Sequence, residues 1–160
     1  MIRMDQSAFK NYMLSSEAQY LSILEKYDTQ HPRGLTEYFK EFMKVDITFY
    51  KAYHLLLYGH VFKNIHSVTS DFFDFLDEVP FQSEAVGNQW YQEFLVAYFD
   101  RRNMKANVKN TQYAFEYDLA ADYLTGKALS FYRSEIIARA FRAKKQDLSL
   151  IHISEPTRPY

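Results

Sequence analysis

Residues 35–57, LTEYFKEFMKVDITFYKAYHLLL, decide the fold. Leu35, Tyr38, Phe39, Phe42, Phe49, Tyr50, Tyr53, Leu56 and Leu57 recur at the spacing that returns to one side of an α-helix. Glu37, Lys40, Glu41, Lys44, Thr48 and Lys51 fall opposite. The stretch therefore predicts a long amphipathic helix. Gly59 is expected to weaken or end it, because glycine carries no side chain to restrict its backbone.

On the N-terminal side, Phe9, Tyr12, Met13, Tyr20, Ile23, Leu24 and Tyr27 share a face at the same period. They predict a first helix that stops before His31-Pro32-Arg33-Gly34, where proline and glycine break the pattern. On the C-terminal side a short helix is expected, capped by Thr69 or Ser70, with Asp71 in its first turn facing the helix dipole. It would bury Phe72, Phe75, Leu76 and Val79 and stop before Pro80. Asn88 is placed to cap a fourth helix with Tyr91, Phe94, Leu95 and Tyr98 inward, running to about Asn103. A polar connection over Lys105 to Asn110 leads to a fifth helix built on Tyr113, Tyr117, Ala120 and Leu124, with Gly126 as a left-handed C-terminal cap. The sixth helix has two apolar faces. One carries Leu129, Tyr132, Ile136 and Ala140, the other Phe131, Ile137 and Phe141, so it is expected to pack on two neighbours.

The chain is thus expected to be all-α, with about six antiparallel helices arranged as a bundle or as stacked helical hairpins. Composition agrees. Gly and Pro number only four each among 160 residues, so few tight turns are available for a many-stranded sheet, while 14 Phe and 14 Tyr supply bulk for helix contacts. No helical repeat of fixed period aligns the aromatics. A length of 160 residues with 48% hydrophobic content suits one domain with its own core. The formal net charge of -1 gives no field to gather polyanions, which disfavours non-specific nucleic-acid binding. No run of 18 apolar residues spans a bilayer, and Met1 to Asp5 lacks the features of a secretory signal. With no cysteine, the segment has no disulfide, thiolate catalysis or cysteine-ligated zinc.

From Leu148 the sequence changes character: LSLIHISEPTRPY, residues 148–160, has two prolines and no helical period. It resembles the translation of a transposon adaptor used in preparing sequencing libraries. The natural helical domain is therefore expected to occupy residues 1–147 as a fragment cut at its C-terminal side, with 148–160 an artefact that takes no part in the fold.

Candidate chemistry is sparse. Asp46 stands inside the apolar stripe between Phe42 and Tyr50, where a carboxylate is least expected. It could serve as a base, but a structural role, accepting from a Tyr hydroxyl or pairing with a cation, accounts for it better. His54, His60 and His66 recur every six residues, a step of roughly 600° that sends them to different helix faces, and Asp46 to His60 is about 21 Å along one axis. The nearest approach to a carboxylate-bridged di-iron motif, Asp28-Thr-Gln-His31, has the wrong acid and abuts Pro32. No metal, cofactor or catalytic residue is therefore expected. Asp71, Asp74, Asp77 and Glu78 lack the glycine and spacing of a calcium loop and read as a solvated acidic face. Arg101, Arg102, Lys105 and Lys109 beside Tyr98 and Phe99 superficially suggest a base-stacking platform, but the rings fit core positions. The tyrosines are expected to pack their rings and keep hydroxyls at the wet edge.

The stretches NQWYQEFLVAYFDRRN (88–103) and YLTGKALSFYRSEIIARAF (123–141) resemble the helical region that precedes the thioredoxin-like domain in TlpA-type disulfide reductases of Bacteroidetes-like bacteria. The likeness spans Leu35 to Lys145 and rests on aromatic helix patterns. It implies a non-catalytic module that positions or covers an adjoining thioredoxin-like domain, where a Cys-X-X-Cys pair performs the redox chemistry. No such pair exists here, so no site residue of the family is carried over. The resemblance implies a periplasmic or lipid-anchored parent with its signal upstream of Met1; without it, a cytoplasmic protein is expected. The alternative is a free-standing helical interaction domain that binds a peptide or helix in an aromatic groove. A small all-α enzyme centred on Asp46 is a third class.

Overall fold

A computed structural model of the chain describes residues 4–31, 33–61, 68–79, 81, 83–105 and 113–143. Among them the fold is all-α, and each of the six expected helical segments is present. Five are α-helices: α1 (Gln6–Gln30), α2 (Glu37–Val61), α3 (Gln89–Lys105), α4 (Tyr113–Leu119) and α5 (Gly126–Arg142). The sixth, Ser70–Asp77, winds as a tighter 3-10 helix. Further 3-10 turns occur at Ser83–Gly87 and Ala120–Asp122.

Side-chain chemistry sets the ends of α1 and α2. Asp5 caps α1 by accepting from the Ala8 amide at 2.8 Å. The α1–α2 turn uses Gly34 in the left-handed region, φ +59, which a Cβ would strain. Asp28 clamps that turn: its carboxylate accepts from the Leu35 amide at 2.6 Å and from Lys40 Nζ at 3.0 Å. Those two bonds, the backbone one first, hold the Asp28 carboxyl below the usual range. Thr36 Oγ1 then accepts from the Phe39 amide at the start of α2. With Glu17–Lys51 and Asp28–Lys40 both paired, rising positions on α1 meet falling positions on α2, so the two helices form an antiparallel hairpin.

Gly59 does not end α2, which continues through it to Val61. A lone glycine costs only about 1 kcal/mol in a helix, and the buried face of Phe49, Ala52, Leu55 and Leu56 outweighs that. Thr69 stands at the head of the 70–77 helix but does not cap it through its hydroxyl. The hydroxyl accepts from Gln6 Nε2 at 3.0 Å, tying this segment to α1. Phe72, Phe73 and Phe75 are all buried there. At three residues per turn Phe72 and Phe75 fall on the same side of the helix.

The fifth helix is short: α4 stops at Leu119 and tightens into the 3-10 turn. Gly126 has the expected positive φ, +54, but opens α5 rather than closing α4. A Cβ at Gly126 would fall 2.5 Å from Ser83 Oγ, which accepts from the Lys127 amide at 2.8 Å. Close approach to the 83–87 turn fixes the glycine there. On α5, Tyr132, Ile136 and Ala140 are buried, as the first face predicts, with Leu129 partly so; Ala128, outside that face, is buried as well. The second face is not covered to the same degree: Phe131 and Ile137 are half-buried and Phe141 is 60% exposed.

The core is aromatic. Phe49 meets Tyr91 at 4.6 Å and Phe94 at 5.3 Å between ring centroids, and Phe99 stacks on Tyr132 at 4.4 Å. Such pairs add about 0.5–1.5 kcal/mol each beyond area burial. The connection over residues 106–110 and the tail 148–160 lie outside the described residues, as does residue 147 where the helical domain was expected to stop.

Candidate functional site

Burial divides the α1–α2 hairpin in two. Toward Met13 and Phe49 it joins the core, whereas toward its turn the expected inward faces remain open. Ile23 is 55% exposed, Tyr20 and Tyr27 48%, and Phe39 44%, although periodicity placed all four on apolar stripes. No other described element covers them. Together with Leu24, Leu35, Met43, Ile47, Tyr50 and Trp90 they line a groove of about 660 Å³. Apolar hollows of this size are ordinary binding sites, and a contiguous exposed apolar surface on a folded chain marks a contact face.

Among the described residues Asp46 is the one ionisable acid or base in the groove wall apart from tyrosine hydroxyls. The partner expected for it, a Tyr hydroxyl or a cation, is not the one found. Its Oδ1 accepts from Asn88 Nδ2 at 2.8 Å, while Asn88 Oδ1 accepts from the Tyr91 amide at 3.1 Å. Asn88, 3% exposed, therefore caps α3 as predicted and also ties that cap to α2. Replacing Asn88 by Ala removes the cap and leaves an Asp46 oxygen without its amide. The expected loss is about 2 kcal/mol of unfolding free energy, read from urea midpoints. Asn88→Asp would keep a cap acceptor but set two carboxylates face to face, so it should do no better.

The histidines do not gather around Asp46. His54 Nδ1 donates to the Tyr50 carbonyl at 2.8 Å, and its ring packs against Tyr50, Tyr53 and Trp90 at centroid distances of 4.1, 5.2 and 5.3 Å. The His60 side chain and all of His66 lie outside the described residues. Asp28 is spent on the turn clamp, and His31 stacks on Tyr27. Among the described residues no three His, Asp or Glu side chains converge as metal ligands would.

Asp71, Asp74, Asp77 and Glu78 are exposed. A hydrogen bond with Thr69, more than the nearby Lys10, keeps the Asp71 carboxyl below its usual range. The basic side chains at the end of α3 already occupy aromatic faces. Arg101 lies 3.1 Å from the Phe73 centroid, and burial lowers its pKa. Arg102 lies 4.1 Å from the Tyr123 centroid and donates to the hydroxyls of Tyr123 and Tyr98. The rings of the expected platform are themselves packed: Phe99 is 1% exposed, and Tyr98 meets Phe81, Phe94 and Phe99, so neither presents a free face to a base. Lys109 lies outside the described residues.

Sequence reasoning missed a charged cluster under α5. Arg139 donates to Asp100 at 2.8 Å, to Glu116 at 2.7 Å and to the Tyr132 hydroxyl at 3.3 Å. Burial raises the pKa of Glu116 and of Tyr132. The cluster joins α3, α4 and α5; both terminal nitrogens of Arg139 are paired within it, while its Nε is buried without a partner.

Among the described residues the fold is all-α and aromatic-rich, with an open apolar groove between α1 and α2. No described helix is long and apolar enough to cross a membrane. Comparison with protein-family models, curated proteins and solved structures gives no match.

Proposed function

We propose that this chain is a non-catalytic helical interaction module that receives an apolar segment of a partner protein in the groove between α1 and α2. The observation that carries this reading is the groove itself: Tyr20, Ile23, Tyr27 and Phe39 stand about half exposed around one hollow. Burying large apolar side chains is worth about 1.5–3 kcal/mol each, less the ordering cost of association. An open apolar groove along two helices suits a helix presenting apolar residues at i, i+3, i+4 and i+7.

Trp90 is the sole tryptophan of the chain and lines the groove, so its emission reports occupancy without a label. An amphipathic peptide of Leu and Ala with one central Lys should shift that emission saturably. Ile23→Asp should weaken the shift about ten-fold or more, about 1.4 kcal/mol, while leaving helical content and melting temperature unchanged, because Ile23 is a surface position. An unchanged emission, or an Ile23→Asp variant that binds as well as the parent, would remove the reading.

A second reading is that the module positions or covers an adjoining thioredoxin-like domain. It is favoured by the open face of α5, with Phe131, Ile137 and the 60% exposed Phe141. Sequencing the gene past residue 147 tests it. A strand followed by Cys-X-X-Cys is expected, and a stop codon soon after Lys145 would sink it.

A further inference from the structure

We propose that the segment bound in the α1–α2 groove is an amphipathic helix carrying one lysine or arginine between its apolar anchors, and that this cation pairs with Asp46. The inference rests on the groove reading above and specifies the chemistry of its occupant.

Among the described residues the wall of the groove holds one carboxylate and no Lys, Arg or His. Elsewhere, acids that sit beneath or beside other elements are paired within the chain. Glu17 meets Lys51 at 2.7 Å, Asp28 meets Lys40 at 3.0 Å, and Glu116 meets Arg139 at 2.7 Å. Asp46 has no such cation among the described residues; its hydrogen-bond donor is the neutral amide of Asn88. A carboxylate left in this way is tolerable only while water reaches its remaining lone pairs.

Docking changes that condition. An entirely apolar segment laid over the groove would strip water from Asp46 and supply no counter-charge. Desolvating an unpaired charge costs several kcal/mol, enough to cancel the burial of two large side chains. An acidic segment adds repulsion. A segment with one cation opposite Asp46 removes the penalty and turns the same carboxylate into a source of selectivity.

The surroundings suit such a cation. Asp46 follows Met43 by three residues and precedes Ile47 and Tyr50 on the same wall, so the charge is flanked by apolar contacts along the groove. Tyr50 and Trp90 meet edge to face at 4.9 Å in that wall. Aromatic faces attract a desolvated ammonium or guanidinium group, and the stem of a lysine or arginine can lie along Met43 and Ile47 before its head reaches the carboxylate.

The test uses the full chain and three peptides of one Leu/Ala scaffold whose central residue is Lys, norleucine or Glu, with Trp90 emission as readout. The chain is either unchanged or Asp46→Asn. Asparagine keeps an oxygen that accepts from Asn88, so the variant should fold and melt like the parent. The Lys peptide is expected to bind the parent about ten-fold or more tightly over norleucine, the Glu peptide most weakly, and the Lys preference should fade with added salt. In Asp46→Asn, Lys and norleucine peptides should bind alike. If Lys and norleucine bind the parent equally, or the preference survives in Asp46→Asn, the proposed pairing is wrong while the groove remains a docking face. If no peptide shifts the emission, both readings fall. A concentration-dependent dimer in sedimentation that Ile23→Asp dissociates, with no peptide shifting the emission, would assign the groove to a second copy and overturn the inference.

Discussion

Phe49→Ala should lower the free energy of unfolding by about 3–5 kcal/mol, seen as a shifted urea midpoint with little change in slope. Phe49 is 1% exposed and touches both Tyr91 and Phe94 across the α2–α3 contact. Truncation removes the transfer energy of the ring and both ring contacts. The helices that frame the hole are held by Ala52, Leu55 and Leu95, each fully buried, so the space cannot readily close. Phe39→Ala provides the control on the same helix. At 44% exposure in the groove, Phe39 should cost less than about 1 kcal/mol. Equal losses at the two positions would contradict the division of the hairpin into a core half and an open half.

That division marks the limit of what periodicity can say. Tyr20, Ile23, Leu24 and Tyr27 repeat at the helical period as faithfully as Tyr91, Phe94 and Leu95 do. Only the second set is covered. A stripe records that side chains share a face, whereas burial depends on whether a third element reaches it. Here α3 reaches α2 near Phe49, and Trp90 at its start is the residue that borders the groove. Which part of a stripe stays open is set by where that third element lies, and the spacing of letters does not carry it.

Local signals fared best where they involve neighbours in sequence. Asn88 caps α3 because its acceptor and the Tyr91 amide lie three residues apart, a relation visible in the letters. Its second bond, to Asp46, spans 42 positions and was not visible. Gly126 was recognised as left-handed, but the reason, the approach of Ser83 from 43 residues upstream, belongs to tertiary structure. The five-residue turn at Ser83–Gly87 escaped notice because it buries a single apolar side chain, Ala85, and so leaves no period.

The cluster around Arg139 was equally hidden, its partners lying 39 and 23 residues away, and it predicts the other large effect. Arg139→Met should destabilise the chain by about 3 kcal/mol at neutral pH. Methionine keeps much of the packing volume but leaves Glu116, whose side chain is 12% exposed, ionised beside Asp100 with no cation. The loss falls at the lower end of the range for broken buried pairs because Asp100, at 39%, can still be hydrated. The pH dependence follows from Glu116. Burial raises its folded-state pKa above the ordinary 4.5, against the lowering pull of Arg139. Removing the arginine raises it further, so over the window between that raised value and 4.5 the folded variant binds more protons than the unfolded chain. Variant stability therefore rises as pH falls through the window, and the gap to the parent narrows. Adding Glu116→Gln should recover much of the loss at neutral pH and flatten the pH response, because the uncompensated charge is gone. A deficit below about 1 kcal/mol, or one that stays constant from neutral pH down to 4.5, would show that Arg139 acts through packing rather than charge.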